Sequence, residues 1–415
     1  TGLARGNNAA GGASQQNARP YFSRKLGLAG DGSPVDIEFG GRISGRVGRF
    51  NIGTLAIRQA DTDTVAATDL LISRVSANVL EDSQIGFIFT DGDPTSNLEN
   101  RVAGADFQYI NNRLPNGRRL FSSVFFQQSD TPGLAGEDAS YGFGIGYPAS
   151  VGVRGRIGYK AVEENFNPAM GFVNNAGIGD FTADLGYTHF FSAGIFQTAF
   201  VGVDLQRIEL LDGGLQTEVV NYRLLELETT QRDRLQLAYI ANEEVVLDRF
   251  PIYRRSGEEV YIESGIYQFN EQSLNFRTAG QRQFSGALTY RSGDFFNGER
   301  LNLSGRLTWN QSRYFILSAS YDWNDIQLPQ GSFTTRLSSI NSQVAFSPTL
   351  YWITLAQYDN ISEEIGINTR LQWIPRAGQE GFIVLNYGLE DRDRNNSFQT
   401  ASSDLSLKFR YTFRF

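Results

Sequence analysis

The chain has 415 residues, among them 44 glycines, 31 phenylalanines, 18 tyrosines, 4 tryptophans, one histidine and no cysteine. The missing cysteine excludes a disulfide scaffold, a thiol nucleophile, a thiolate metal site and a lipidated N-terminal cysteine. The formal charge of −8 is not that of a nucleic-acid binder, and the lone His189 excludes a multi-histidine metal centre. No stretch approaches the roughly 18 apolar residues of a transmembrane helix. No basic-then-apolar leader stands at Thr1, so any signal peptide is expected to be gone already. Abundant glycine and aromatics with almost no Cys, Met or His are odd for a soluble enzyme and ordinary for a transmembrane β-barrel, where only alternate residues need be apolar.

Residues 1–19 (TGLARGNNAAGGASQQNAR) carry no apolar period and read as a flexible linker or arm. From Pro20 to Phe415 the texture is uniform, and its dominant signal is a period of two. In 301–309, Leu301, Leu303, Gly305, Leu307 and Trp309 alternate with Asn302, Ser304, Arg306 and Thr308. In 315–323, Phe315, Leu317, Ala319, Tyr321 and Trp323 alternate with polar residues. At the end of the chain Leu405, Leu407, Phe409, Tyr411, Phe413 and Phe415 alternate with Asp404, Ser406, Lys408, Arg410, Thr412 and Arg414. A strand sends two such sets to opposite faces, so the chain is expected to be all β.

A soluble sandwich would alternate too, but its strands run about five or six residues. These run roughly ten to fourteen, which matches the length needed to cross a bilayer at a tilt. Trp309, Trp323, Trp352 and Trp373 sit at segment ends, where interfacial girdles belong. The expected fold is therefore a transmembrane antiparallel up-and-down β-barrel over residues 20–415. Alternating segments from Val35 onward number about 21, and connections alternate between short and long. An even count is usual for such barrels, so Tyr21–Ala29 (YFSRKLGLA) is the candidate for an added strand, giving about 22 strands, with about 20 also fitting. A wall of that size encloses a lumen on the order of 40 Å across. Wall side chains cannot fill it; water, inward-folded loops, the N-terminal arm or another chain must.

Several stretches resemble the C-terminal barrel of an uncharacterised bacterial family, domain of unknown function 5916. They are Ser23-Arg24-Lys25-Leu26-Gly27, GGRISGRVGRFNIGTLAI (40–57), NFNPAMGFV (165–173), GDFFNGE (293–299), LPQGSF (328–333), AQYDN (356–360) and LQWIPRAGQEGFIVLNY (371–387). The resemblance implies a barrel in the outer membrane of a Gram-negative bacterium. In that family a carbohydrate-binding-like β-sandwich usually precedes the barrel; none stands before residue 20 in this sequence, so that domain is expected either to have been removed or to be lacking in a barrel-only member. The terminal alternation through Phe409, Tyr411, Phe413 and Phe415 looks like the signal read by the barrel assembly machinery.

Signs of chemistry are sparse. Barrel enzymes place a Ser–His or Asp–His pair at the outer rim, whereas His189 lies among Tyr187, Phe190 and Phe191 beside a short turn. No catalytic residue, metal site or cofactor is expected. The carboxylate pairs Glu163/Glu164, Glu243/Glu244, Glu258/Glu259 and Glu363/Glu364 fall in loops or at strand ends, where solvated charge is the default. DTD (61–63) and DGDP (91–94) faintly resemble calcium loops without the closing bidentate Glu.

Charge is divided by sign. Arg42, Arg46, Arg74, Arg154, Arg156, Lys160, Arg306 and Arg370 sit on the polar faces of strands. A charge on the lipid face near the midplane costs about 2–4 kcal/mol, so alternation sends these cations to the lumen or the rims. They form either a basic inner wall or a ladder with acids such as Asp106, Asp184, Asp204 and Asp322. Acids concentrate in the long loops. Loop 246–264, with Phe250, Tyr253, Arg254, Arg255 and Tyr261, is the candidate inward constriction or partner-docking loop; loop 161–175, with Phe166 and Phe172, is the second. The expected function is a non-enzymatic pore or uptake channel for a hydrophilic solute. The alternative is a barrel scaffold occupied by a partner protein. Expected partners are outer-membrane lipid, lipopolysaccharide and the assembly machinery, with no nucleic acid.

Overall fold

The computed structural model describes residues 17–115, 118–255, 257–391, 395 and 397–412. Among these the elements are strands, apart from one 3-10 turn at Ser23–Lys25. No helix among the described residues is long and apolar enough to cross a membrane. In chain order the strands are β1 (Ile37–Val47), β2 (Phe50–Gln59), β3 (Thr68–Val79), β4 (Ser83–Asp91), β5 (Arg101–Leu114), β6 (Arg118–Asp130), β7 (Ala139–Tyr147), β8 (Gly152–Val162), β9 (Ile178–Phe190), β10 (Phe196–Leu210), β11 (Leu215–Thr229) and β12 (Arg234–Val246). They continue as β13 (Phe250–Arg255), β14 (Glu258–Ile262), β15 (Gly265–Arg277), β16 (Phe284–Phe295), β17 (Gly298–Ser312), β18 (Phe315–Leu328), β19 (Gly331–Ser347), β20 (Leu350–Asp359), β21 (Glu364–Arg376), β22 (Gln379–Glu390) and β23 (Gln399–Tyr411). Twenty-one of them belong to one antiparallel up-and-down sheet, and β13 with β14 makes a separate two-stranded sheet.

Among the described residues the count falls between the expected 20 and 22, and the added strand is corrected. The main sheet has 21, starting at Ile37, and the segment added for parity, Tyr21–Ala29, is not a strand. Tyr21 and Leu26 pack on the same apolar cluster, which an extended chain would forbid because positions five apart point to opposite faces. The chain then reverses at Ala29–Ser33, where Ala29 N–H donates to Ser33 O at 2.9 Å, and Val35 N–H donates back to Gly27 O at 2.9 Å.

The chain divides into two compact units. The first comprises Thr1–Thr188 and Gly202–Val220. Within it β1 through β9 each pair with the next. The alternation has an inverted outcome. Phe87, Val124, Phe126, Phe143, Ile145, Val153 and Leu185 are exposed, with Phe143 at 53%. The opposite face buries Asp106, Gln127, Ser129, Ser140, Lys160 and Asp180, with Lys160 only 2% exposed. Register sets Gly86, Asp106, Phe125, Gly142, Lys160 and Asp180 side by side in one row across β4 to β9 on that polar face. Connections at one end of these strands are short (48–49, 80–82, 148–151). Those at the other are long (60–67, 92–100, 131–138, 163–177).

The second unit comprises His189–Val201 and Asn221–Phe415. Here β12 pairs with β15, stepping over the β13–β14 hairpin, and β15 through β23 each pair with the next. Trp352, Trp373, Ile383, Leu405 and Leu407 are exposed on one face. On the other, Thr308 meets Ser318 at 3.0 Å, Ser320 meets Ser339 at 2.6 Å, and Asn302 donates to Asn324 at 2.9 Å.

Candidate functional site

The polar face of the first unit is where chemistry concentrates, and its charges are largely matched. Arg74 on β3 places Nη2 2.5 Å from Asp106 Oδ2 on β5, an ion-pair contact whose alignment is poor for a hydrogen bond. The guanidinium lies over Gly86 of the intervening strand β4, where an added Cβ would sit 2.0 Å from Nη2. Arg156 meets its register partner Asp184 at 2.9 Å. Lys160 is the register partner of Asp180, whose carboxylate also receives Gln206 Nε2 at 3.1 Å. Of the expected ladder, the pairs through Asp106 and Asp184 are present. Asp322 instead receives Asn324 Nδ2 at 2.7 Å.

The other basic candidates occupy quieter positions. Arg42 lies near enough to Tyr21 for its charge to act on the phenol, and Arg46 Nε donates to Gly48 O at 3.0 Å. Arg154 stands opposite Gly186 in the register. Arg306 shares a shallow cleft with Ser304, Ser320 and Asp322. Arg370 stands opposite Val384 and Ile353.

Onto this face folds the segment Asn17–Leu26. Lys160 Nζ donates to Asn17 O, and Gln127 Nε2 donates to Ala18 O at 2.7 Å. Ala18 is buried against Val102, Val162, Phe166 and Ile178. Tyr21 enters a pocket of Ile57, Leu70, Ile72 and Met170 on one side and Ile88 and Phe125 on the other. Burial raises the Tyr21 phenol pKa above its ordinary 10.0, an effect the nearby Arg42 opposes.

Loop 163–177 closes over the segment from the far side. Arg19 and Phe172 exchange both backbone hydrogen bonds, at 3.0 and 3.1 Å, and Phe22 N–H donates to Met170 O at 2.8 Å. The Arg19 guanidinium stands 5.5 Å from the Phe172 ring, and Phe22 meets that ring edge-on at 5.2 Å. Backbones approach so closely that a Cβ on Gly171 would fall 1.7 Å from Arg19 O. Asn17 anchors the start: its Oδ1 accepts Asn174 N–H at 2.7 Å and its Nδ2 donates to Asn175 O at 2.7 Å. Asn100, 1% exposed, ties the neighbouring loops together, donating to Thr131 Oγ1 at 2.7 Å and Asn167 O at 2.8 Å and accepting Ala169 N–H at 3.1 Å. Thus Phe166 and Phe172, the second loop candidates, both face the interior of this assembly.

In the second unit the hairpin β13–β14 lies against the polar face beside the β18–β19 turn. Tyr253, Val260 and Ile262 pack on Val246, Ile326, Leu328 and Phe333, with Tyr253 stacked on Phe333 at 4.5 Å. Arg255 forms an ion pair with Glu363, and Arg254 meets Glu259 at 2.9 Å. Arg249 stands 4.9 Å over Tyr261, and Tyr261 bonds Glu259; that bond raises the phenol pKa. Phe250 meets Phe296 at 6.2 Å. Below the hairpin Glu271, 3% exposed, holds Arg300 through Nη2 at 2.5 Å, and register places Gly293 between them.

The remaining sequence signals resolve simply. His189 lies one residue before the end of β9 and meets Phe191 edge-on at 4.7 Å. Asp93 of DGDP closes its own loop, accepting Thr95 N–H and Oγ1 at 2.8 Å and Ser96 Oγ at 2.6 Å. Among the described residues no cluster of three or more His, Asp or Glu could hold a metal. Phe409 and Tyr411 lie in β23, while Phe413 and Phe415 lie outside the described residues.

Sequence reasoning weighted the arginines and missed Asn17, Asn100, Gln127 and Glu271. The available signal was NFNPAMGFV, whose small and amide residues build the loop that covers the polar face. No family model matches the chain, and no curated protein matches it.

Proposed function

We propose that the chain is a transmembrane β-barrel of a Gram-negative outer membrane, acting as a non-enzymatic pore or uptake channel for a hydrophilic solute. The observation that carries this reading is the inversion of the sheet: large apolar side chains face out while Lys160, Asp106 and Asp180 are covered. In water, contiguous apolar surface of this extent is unfavourable. Against acyl chains it becomes the favourable face, and the polar side then lines an interior. Strand lengths of nine to seventeen residues in the main sheet suit a tilted crossing. The motifs resembling the barrel of domain of unknown function 5916 support the same reading. Lipid and lipopolysaccharide would contact the apolar face, and the assembly machinery would read the last strand.

The test is reconstitution into planar bilayers. The reading expects stepwise conductance from protein whose gel mobility shifts on boiling; a lumen sealed at every voltage would refute it. A second reading, a barrel scaffold holding a partner protein, is favoured by the cover over the polar face, and expects a stoichiometric partner in native purification.

A further inference from the structure

We propose that the polar face of β6 and β8, together with loop 163–177, is a peptide-binding groove for a segment of the pattern small–Arg–Pro–aromatic, with the chain's own Asn17–Leu26 as its resident, exchangeable occupant.

Three features separate this from ordinary packing. First, the segment is recognised through its backbone. Lys160 Nζ and Gln127 Nε2, both from strand side chains, donate to the consecutive carbonyls of Asn17 and Ala18, and Arg19 exchanges two bonds with Phe172. Main-chain pairing supplies affinity in strand-type peptide recognition, and side-chain pockets supply selectivity. Second, one side chain acts as anchor: Tyr21 fills a pocket built by residues of β2, β3, β4, β6 and the loop. A single aromatic in a desolvated pocket, flanked by contacts that exclude water, is how interfaces concentrate binding energy. Third, the empty groove is tolerable. With the occupant gone, Lys160 keeps its register partner Asp180, and Asp180 keeps Gln206, so the vacant state avoids the penalty of a buried unmatched charge.

Geometry also sets the selectivity. Ala18 is buried among Val102, Val162, Phe166 and Ile178, which admits a small residue there and rejects a large one. The Arg19 guanidinium lies over the Phe172 ring at 5.5 Å, the arrangement of a cation–π contact. The turn at Gly30–Ser33 that joins the segment to β1 is exposed, which opens it to a protease.

The inference does not rest on the pore reading and can be tested without a membrane current. A protease site replaces Gly30–Ser33 in the full chain, which is folded in detergent and then cut. The N-terminal fragment is expected to co-elute with the rest of the chain and to exchange for a fluorescent synthetic peptide of residues 17–26, with saturable binding. A scrambled peptide, or one carrying Tyr21→Ala, is expected to bind at least tenfold more weakly. Gln127→Leu and Lys160→Met in the protein are expected to weaken the native peptide by a similar factor. Failure of the labelled peptide to bind saturably, whether the fragment is lost or never leaves, overturns the proposal. Equal binding by the scrambled peptide does so too. Peptide exchange by a protein that carries no current would sink the pore and leave the groove standing.

Discussion

Arg74 reaches Asp106 across the strand that lies between them, and Gly86 leaves the room for it to do so. We expect Gly86→Ala to behave like loss of the ion pair itself. Removing one partner of a buried pair costs about 3–5 kcal/mol, so Asp106→Ala and Gly86→Ala are each expected to lower stability on that scale. The double variant should cost far less than their sum. Equilibrium urea unfolding of the reconstituted protein measures all three, and simple additivity would show that Gly86 does not act through the pair.

Leu405 and Ser406 are neighbours in β23 on opposite faces. Both are exposed, yet the membrane reading treats them differently. Leu405→Arg is expected to oppose insertion into lipid vesicles by about 2–4 kcal/mol, while Ser406→Arg is expected to insert like the parent. Folding yield in vesicles, read by the heat-dependent gel shift, checks the contrast. Equal yields for the two variants would remove the argument from the inverted faces.

Tyr253 and Arg255 hold the β13–β14 hairpin down. Truncating a buried aromatic costs about 3–5 kcal/mol, so Tyr253→Ala is expected to free the hairpin locally and expose Arg254 and Arg255 to trypsin. Single-channel conductance is expected to rise in the same variant. A hairpin cut more readily with no change in conductance would exclude it as a constriction.

Gly171 allows Arg19 O to approach its backbone. Gly171→Val is expected to expel the Asn17–Leu26 segment, because its Cβ would lie 1.7 Å from that oxygen. The chain has no cysteine, so Ala18→Cys gives a clean reporter: protected from thiol reagents in the parent background and at least tenfold more reactive beside Gly171→Val.

Alkaline pH should loosen the same segment. Burial raises the folded-state pKa of Tyr21 above 10.0, so the neutral phenol is the form the pocket holds. Its contribution is complete below the unfolded value near 10 and fades as pH rises through the raised folded value. Thiol labelling of the Ala18→Cys variant is therefore expected to climb above pH 10, and adding Tyr21→Phe to abolish that rise.

Much of the sheet was legible because period two survives in single strands. β17, β18 and β23 read directly from Leu303–Leu307, Tyr321–Trp323 and Leu405–Tyr411. The aromatic content of 250–262 marked it as a segment that packs, although its own two-stranded pairing was not foreseen. Tyr21–Ala29 misled because its Tyr and Leu looked like strand residues; only tertiary contacts reveal that both enter one cluster. The ion pairs were half readable. Alternation placed Arg74 and Asp106 on one face, but which acid meets which base depends on register across three strands. The groove around Asn17 was not readable, since Gln127, Lys160 and Phe172 converge only once the sheet and the loop are in place.

The pairing across Gly86 has a counterpart in the second unit, where Glu271, Gly293 and Arg300 stand on β15, β16 and β17 with acid and base in the reverse order. Such a pair spans two inter-strand gaps, about 9–10 Å, and ties a strand to its second neighbour. A ladder of backbone hydrogen bonds tolerates sliding by two residues, because each side chain returns to its original face. A charge pair reaching across a glycine does not, since the slide carries the carboxylate out of reach and, at Gly86, brings a side chain under the guanidinium. Each triplet thus singles out one alignment among those that alternation permits, and the middle strand is clamped without contributing a side chain.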